Sequence, residues 1–456
     1  MKNRFSYTSV FNCELRELFN YHEREGVLNR LTPCWERVYF LSKTGPISED
    51  SKVFLKIGVG PALMDYVARH IDYKKNEYFI DIQEEGPFKE YIHRHEFSSV
   101  KGGAILRDSI SYKLPFSPFS DALGSYFTNK KLLKMFRYRH RVTENDINFL
   151  SKYTFTPMRI GVTGARGDIG RMLVPFLKTH GHTVVRFVRD ENLADENNYY
   201  WETDTGKFYG DNLDFDAIIH LGGAPIGRGR WSEDTKTEII KSRVDSTKKL
   251  AEFVLTLENK PKIFLSASAI GYYGNRGDDM LTEKDTHGNH FISYVCKGWE
   301  DATDILRDKI RVVNLRIGIV MSYCGGALCR VLPYFKSGLG MVFGSGNNYV
   351  SFISMDDLLY GIAHCLYTKQ INGAVNMVSP NSVKQIDYAD TLAKVLGRKR
   401  LIKVPEKVIK ILFGQMAEEV LLTSTKVSPK KLLDSGFSFS FPDINTTLRH
   451  TLGRYL

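Results

Sequence analysis

The 456-residue sequence is poor in cysteine and has no long apolar run. Its six cysteines form no Cys-x-x-Cys pair, which argues against a disulfide framework and predicts reduced thiols in a cytoplasmic protein. No segment approaches about 18 uninterrupted apolar residues, so neither a membrane-spanning helix nor integral membrane contact is predicted. The first twenty residues carry several charges and lack the apolar core of a secretion signal.

The composition is that of a globular protein without a concentrated basic region. Hydrophobic residues make up 43% and charged residues 25%, and the length suggests two or three domains of roughly 100–200 residues each. The net charge of +11 divides into +5 for residues 1–157 (24 basic, 19 acidic) and +6 for the remainder (39 basic, 33 acidic). This even spread predicts that nucleic acid is not a partner.

A change of pattern divides the chain near residue 157. Residues 143–157 mix polar side chains with a terminal proline and show no sustained period, and the apolar segment Arg159–Thr163 follows at once. We therefore predict a first domain over 1–150 and a second over 158–456, which includes a small C-terminal substrate subdomain at about 381–450.

The first domain is predicted to be α+β. An opening strand precedes a helical pattern, and a basic helical pattern near 121–139 closes the domain. Between them lie strand-like segments separated by Gly- and Pro-bearing turns: 53–59, 78–83, 91–97 and 104–113.

Three segments of this domain resemble the START-like, polyketide-cyclase-like superfamily: Leu31–Trp35, Asp81–Phe88 and His93–Phe97. The resemblance implies a helix-grip fold, a curved sheet around a long helix with an apolar cavity for a lipid, quinone or polyketide. His93 and His95 alternate along a strand and so share one face. Spacing suggests no third ligand, and no metal site is predicted.

The second domain alternates apolar strands with amphipathic helices. Such alternation predicts an α/β fold of Rossmann type, with a doubly wound parallel sheet covered on both faces. The predicted strands are 159–163, 183–188, 217–221, 262–266 and 312–319, and the predicted helices are 171–179, 235–257 and 299–308.

A glycine motif between the first strand and the first helix predicts a dinucleotide site. Gly164 permits a tight turn, Gly167 lets the backbone approach a diphosphate, and Gly170 lets the helix pack on the strand. The helix N-terminus adds free N–H groups and a partial positive charge. The predicted cofactor-binding residues of this segment are Thr163, Gly164, Arg166, Gly167, Asp168, Ile169 and Gly170.

The end of the second strand bears on the choice of cofactor. Arg189 follows the strand and could pair with a 2′-phosphate, and Arg166 could reach the same group. A shift of one residue would instead make Asp190 a ligand of the ribose 2′-hydroxyl, as in NAD sites. We predict NADP(H), with NAD as the alternative.

Further motifs resemble the extended short-chain dehydrogenases/reductases that epimerise or dehydrate nucleotide sugars, and in particular an atypical, nucleotide-sugar-epimerase-like branch. The motifs are Leu221–Ile226, Ser266–Gly274, Trp299–Glu300, Leu315–Gly318, Ser351–Asp357 and the tail 381–441. The resemblance spans about residues 158–450. It implies further cofactor contacts at Leu221, Gly222, Gly223, Ser266 and Ile317.

The Tyr-x-x-x-Lys pair of such epimerases, in which a lysine lowers the tyrosine pKa for proton transfer, is absent after residue 157. If Glu300 sets the register, Ile292 and Cys296 stand at the two positions. Ser268 and Tyr272 remain as catalytic candidates. Two hypotheses follow: an NADP(H)-dependent epimerase, dehydratase or reductase with a small-molecule substrate, or a non-catalytic NADP(H)-binding or sensing module coupled to a lipid- or quinone-binding domain.

Overall fold

The computed structural model describes residues 2–115, 121–227 and 229–455, which form two units. The first unit comprises the chain up to Thr154 together with Lys178–Gly181 and Tyr455, and the second comprises Phe155–Leu177 and His182–Arg454. Among the described residues, no helix is both long enough and apolar enough to cross a membrane.

The first unit is a seven-stranded antiparallel sheet with a long helix. Its elements are β1 (Asn3–Phe11), α1 (Leu15–Glu23), α2 (Val27–Arg30), β2 (Val38–Lys43), β3 (Lys52–Val59), β4 (Ala62–Lys74), β5 (Tyr78–Glu85), β6 (Glu90–Val100), β7 (Gly103–Lys113) and α3 (Asp121–Leu150). The strand order is β1-β7-β6-β5-β4-β3-β2. This architecture confirms the predicted antiparallel sheet and long closing helix.

The core of the first unit is aromatic. Phe19 on α1 packs edge-on against Phe97 on β6, with ring centroids 4.9 Å apart, and Phe79 on β5 completes the cluster. Helix α3 adds Phe136 and Tyr138, which are both buried. The apolar side chains of α1 and α3 thus pack on one face of the sheet.

Helix α3 extends beyond the helical pattern predicted near 121–139. Residues 143–150 continue α3, because Asp146 is buried and its carboxylate binds the buried guanidinium of Arg30 at 2.7 Å. Ile147 and Phe149 are buried on the same stretch. Strands β2 and β4 were also not predicted, because their residues are mostly exposed or only partly buried and give no clear alternation.

The second unit is built on an eight-stranded sheet of order β11-β10-β9-β8-β12-β13-β15-β20. Its strands are β8 (Arg159–Thr163), β9 (Thr183–Val188), β10 (Asn198–Glu202), β11 (Lys207–Tyr209), β12 (Ala217–His220), β13 (Ile263–Ala269), β15 (Arg311–Ile317) and β20 (Gly373–Met377). The six neighbouring strands β10-β9-β8-β12-β13-β15, numbered by their place in the chain, have the order 3-2-1-4-5-6 of a Rossmann sheet. The edge strand β11 is antiparallel, so the predicted parallel sheet is mainly parallel.

Helices connect the strands of the second unit: α4 (Gly170–Thr179), α5 (Glu233–Ile240), α6 (Ser246–Thr256), α7 (Phe291–Asp301), α8 (Gly326–Lys336), α9 (Met355–Tyr367), α10 (Gln385–Leu396), α11 (Glu406–Phe413), α12 (Lys430–Asp434) and α13 (Ile444–Leu452). The predicted helix 235–257 is divided by a π-helical turn, Lys241–Asp245. The helix predicted from Trp299 begins eight residues earlier, at Phe291.

Short strands form four two-stranded sheets beside the main one: β14 (Met280–Leu281), β16 (Ile319–Met321), β17 (Gly340–Phe343), β18 (Tyr349–Val350), β19 (Phe352–Ser354), β21 (Val383–Lys384), β22 (Arg400–Val404) and β23 (Lys426–Val427). The segment predicted as a C-terminal subdomain contributes α10 to α13. Leu392 and Leu448 of these helices pack with Leu332 and Phe352 in one buried cluster.

Candidate functional site

The glycine loop joins β8 to α4 and has the conformation that its glycines predict. Gly164 has φ +65°, and a Cβ atom there would lie 2.7 Å from the carbonyl of Leu221. A Cβ atom on Gly170 would overlap the backbone of Gly164 and Ala165. Both positions therefore require glycine, the first for the turn and the second for close packing of the helix. Gly167 is exposed, and a Cβ there would meet only the Gly164 carbonyl oxygen, at 3.2 Å.

A buried histidine joins the ends of β8 and β12. The Thr163 hydroxyl oxygen lies 2.7 Å from His220 Nδ1 and accepts the N–H of Leu221 at 3.1 Å. Burial lowers the pKa of His220 to about 3, so its ring is neutral. A Cβ on Gly222 would come within 3.0 Å of that ring. The predicted residues at the two strand ends are thus held together at the point where the strand order reverses, where such sheets bind ligands.

A cavity of about 410 Å³ lies beside the glycine loop, with two cations in its lining. Arg166 comes from the loop and Arg186 from β9, and Val188 and Asn192 add further lining. Asp195 also lines the cavity, but its carboxylate already accepts the N–H of Asn197 at 2.7 Å. Two guanidinium groups around one cavity are suited to a phosphate group.

Arg186 was not predicted from the sequence as a cofactor-binding residue. The signal was present, because alternation along β9 places Val184, Arg186 and Val188 on one face, the face of the cavity. Arg189, the predicted residue, lies exposed directly after β9. Asp190 caps the following turn, since its carboxylate accepts the N–H of Asn192 at 3.1 Å.

The side chain of Asp168 faces a neighbouring loop. Its carboxylate accepts the N–H of Gly326 at 3.1 Å and pairs with Arg171 at 3.0 Å. Arg171 also donates to the Cys324 carbonyl at 2.8 Å. Ile169 uses its carbonyl to accept the N–H of Leu173 at 2.9 Å, which starts α4. Asp168 therefore ties the loop after β16 to the glycine loop.

The catalytic candidate Ser268 belongs to a buried ionic network. Its hydroxyl donates to Glu300 Oε1 at 2.7 Å, and the residue is 3% exposed. Arg316 grips both Glu300 oxygens, each at 2.8 Å. Although burial alone would lower it, the pKa of the Arg316 guanidinium is raised by this carboxylate. The pairing of Glu300 with Arg316 was not predicted from the sequence.

Arg316 also separates the roles of the two tyrosines. It donates to the Tyr273 hydroxyl at 2.9 Å, and that hydroxyl donates to Asn376 Oδ1 at 2.7 Å. Burial raises the pKa of Tyr273 to about 12, which keeps the phenol protonated. The Tyr272 ring lies 3.5 Å from the guanidinium carbon of Arg316 and is half-buried. Tyr272 thus has a neighbouring cation and partial access to solvent.

The positions of the missing acid–base pair are apolar. Ile292 and Cys296 on α7 are buried and face Gly271, whose Cβ would lie 3.3 Å and 3.8 Å from their side chains. Burial raises the pKa of Cys296 to about 12. Lys297 is turned to the surface and pairs with Asp301 at 2.5 Å. Tyr294 of the same helix is exposed, and Lys297 also interacts electrostatically with Tyr272.

The other predicted contacts lie at neighbouring strand ends. Ser266 on β13 is fully buried, and Ile317 ends β15, paired with Ala269 and Met377. Gly223 lies against Arg243, since a Cβ there would be 3.2 Å from the guanidinium carbon.

A glycine loop at the reversal point of a 3-2-1-4-5-6 sheet defines a dinucleotide-binding protein of Rossmann type. Residues 160–377 match the model of the NAD dependent epimerase/dehydratase family, and residues 404–451 match a domain of unknown function, DUF1731. An epimerase family protein of Mycobacterium bovis is 32% identical over 297 residues, which cover 65% of this chain and 98% of that protein. The chain belongs to this epimerase family.

Two solved structures are similar to the chain. A nucleoside-diphosphate sugar epimerase from Corynebacterium glutamicum has a TM-score of 0.81 at 30% identity, covering 98% of this chain and 90% of that one. Human epimerase family protein SDR39U1 (isoform 2), solved with NADPH, has a TM-score of 0.61 at 29% identity, covering 64% of this chain and 99% of that one. The predicted epimerase-like resemblance of the second domain is confirmed.

Proposed function

We propose that this protein binds NADP(H) and uses it in an epimerase-, dehydratase- or reductase-type reaction on a small-molecule substrate. The observation that carries the proposal is the pair of guanidinium groups, Arg166 and Arg186, around one cavity beside the glycine loop. The NADPH in the structure of the human relative supports it. The carboxylate that would favour NAD, that of Asp190, is engaged in capping the turn after β9.

The residues of the chain divide the work of binding. The glycine loop and the N-terminus of α4 hold the diphosphate, and Arg166 and Arg186 pair with the 2′-phosphate. Arg189, on the same strand end, is the third cation available to that phosphate. The fixed turn after β12 supports the remainder of the dinucleotide. A bound nicotinamide supplies or accepts a hydride.

Tyr272 is the proton-carrying group that we assign to the reaction. Its neighbour Tyr273 is locked into a buried network, and Ser268 gives its hydroxyl to Glu300. Tyr272 is half-buried, and the guanidinium of Arg316 lies over the face of its ring. Its role would be to hold and release a proton at the phenolic oxygen.

Cofactor affinity tests the binding proposal. We expect Arg166→Met and Arg186→Met each to weaken NADPH binding by roughly 10–100-fold, since a hydrogen bond to a charged group contributes about 1.5–3 kcal/mol. NADH binding is expected to change little. Arg189→Asp is expected to weaken NADPH binding and shift preference toward NADH. Arg307→Met, which removes an exposed arginine paired with Asp304, is the matched control. Equal losses for NADPH and NADH would contradict the assigned roles.

A second candidate function is cofactor binding or sensing without chemistry. It is favoured by the buried, apolar Ile292 and Cys296 at the acid–base positions. Stopped-flow absorbance of bound NADPH against carbonyls, quinones and sugar nucleotides distinguishes the two. Oxidation faster than in buffer, reduced in Tyr272→Phe with unchanged NADPH affinity, supports an enzyme. A bound but inert NADPH across all three substrate classes supports the sensing function.

We further propose that the first unit is a helix-grip domain that carries an apolar molecule. The seven-stranded antiparallel sheet, with α1, α2 and the long α3 at the expected places in the order of elements, supports the assignment. Native mass spectrometry of the full chain tests it. A co-purifying lipid or quinone, identified by its mass, would support the proposal, and a ligand-free first unit that also takes up no added quinone would oppose it.

A further inference from the structure

Five ionisable side chains of the first unit lie close together where the sheet meets helix α3. They come from three adjacent strands and the long helix: Asp81 on β5, His93 and His95 on β6, Asp108 on β7 and His140 on α3. The strand register explains the convergence, because Asp81 pairs with His93 and His95 pairs with Asp108 across neighbouring strands. These four strand residues therefore lie on one face of the sheet, and His140 reaches Asp108 from α3. The shared face predicted for the two histidines is confirmed by ring centroids 3.8 Å apart.

Asp108 orients both histidines of β6. One of its oxygens, Oδ1, lies 2.9 Å from His93 Nε2 and 2.7 Å from His95 Nδ1. The other oxygen lies 2.6 Å from His140 Nε2. Each β6 histidine thus directs one ring nitrogen to a carboxylate, as metal-binding histidines usually do with the nitrogen that does not touch the metal.

The remaining nitrogens face Asp81. His93 Nδ1 lies 3.7 Å and His95 Nε2 3.6 Å from the same oxygen of Asp81, which is beyond hydrogen-bonding distance. The three ligand atoms all lie within 4.8 Å of one another. Ligands about 2.0–2.2 Å from a common metal ion are roughly 3–3.5 Å apart, so a small inward movement would suffice.

We propose that Asp81, His93 and His95 bind a divalent first-row transition metal ion, of the Zn²⁺ or Fe²⁺ kind. Two imidazoles and one carboxylate are the ligand set of many sites for these ions. The charge balance agrees, because the ion would neutralise two carboxylates, Asp81 and Asp108, that have been removed from bulk water. The third ligand was missed because it lies on a different strand from the histidines.

The site is open on one side. The side chains of Asp81 and His95 are each 14% exposed, whereas those of His93 and Asp108 are 6% and 3% exposed. Three protein ligands leave at least one position for water or another ligand, the arrangement of reactive rather than purely structural sites. The metal site stands independently of NADP(H) binding by the second unit.

Metal content and cobalt substitution test the proposal on the full chain, made without a histidine tag. We expect about one equivalent of metal per chain by mass spectrometry of the digested protein. After removal of metal with a chelator, Co²⁺ is expected to restore one equivalent and to give visible d–d absorption. His95→Gln and Asp81→Asn are expected to weaken Co²⁺ binding at least tenfold. His22→Gln is the matched control, since this buried histidine contacts the Leu18 carbonyl and lies outside the site.

X-ray absorption of the wild-type chain decides the case even if the variants fail to fold by circular dichroism. Two imidazoles in a shell of only nitrogen and oxygen support the site. A sulfur ligand would place the metal elsewhere in the chain and overturn the proposal. It is equally overturned by a folded wild-type chain that holds no metal and gives no Co²⁺ absorption, the behaviour of a cluster that is balanced by protons alone.

Discussion

Removing Arg316 should destabilise the second unit far more than removing an exposed ion pair does. The Arg316 and Glu300 side chains are 4% and 10% exposed and are joined by two hydrogen bonds of 2.8 Å. Arg316→Met would leave the Glu300 carboxylate buried with Ser268 as its remaining partner in the network described here. An uncompensated buried charge of this kind costs about 3–5 kcal/mol.

A double variant shows whether the loss comes from an unpaired buried charge or from the changed shape of the side chain. Glu300→Gln combined with Arg316→Met removes both charges, and replacement of a whole buried pair is often neutral or stabilising. We therefore expect the double variant to regain most of the free energy of unfolding that Arg316→Met loses. Lys297→Met is a control on the same helix, because its pair with Asp301 is 44% and 52% exposed and contributes about 0.5 kcal/mol or less.

Urea unfolding followed by tryptophan fluorescence measures these differences. Three of the four tryptophans, Trp201, Trp231 and Trp299, lie in the second unit, and Trp299 adjoins Glu300. An Arg316→Met loss as small as that of Lys297→Met would refute the reasoning. So would a double variant whose loss equals the sum of the two single losses, since that would mean no coupling between the two charges.

Three further outcomes are expected. Gly167→Val should abolish NADPH binding in calorimetry while the circular dichroism spectrum stays native. Gly170→Val should also destabilise the fold, because a side chain there overlaps backbone; loss of the fold in both variants would contradict this. The pKa of His220 lies near 3, below its ordinary 6.5, so the unfolded chain binds this proton first and stability falls as the pH drops from 6.5 toward 3. Urea unfolding at several pH values should show a shallower loss of stability in His220→Gln, and a loss equal to that of the wild type would oppose this. Ser268→Ala should cost about 1–3 kcal/mol by removing a donor to Glu300, with NADPH affinity unchanged; weaker NADPH binding would instead place Ser268 at the cofactor.

The parts of the fold that depend on local pattern could be predicted from the sequence. Strands β8 and β9 have the predicted bounds, because short segments of mainly apolar, β-branched residues are followed by glycine or by polar residues. The glycine loop was predictable for the same reason, since Gly164 and Gly170 occupy positions where other side chains would overlap backbone. Backbone requirements of this kind depend on single residues and can therefore be recognised in the sequence.

The parts that depend on partners from distant segments were not predictable. Arg316 and Glu300 are 16 residues apart and meet because α7 packs on β13, the neighbour of β15 in the sheet. Asp81 reaches the two histidines of β6 through strand register, which spacing along one strand does not show. The end of α3 was misjudged because a single buried pair, Arg30 with Asp146, keeps a polar stretch helical.

The contact between Thr163 and His220 has a consequence for how the cofactor is taken up. It joins the end of β8, where the glycine loop begins, to the turn after β12 through an uncharged ring that neutral pH does not disturb. A site held by such a fixed contact needs little ordering when a ligand binds, which conserves affinity. Cofactor association should therefore be limited by diffusional encounter. Mutations at the site should change the association rate little and the residence time of the cofactor much.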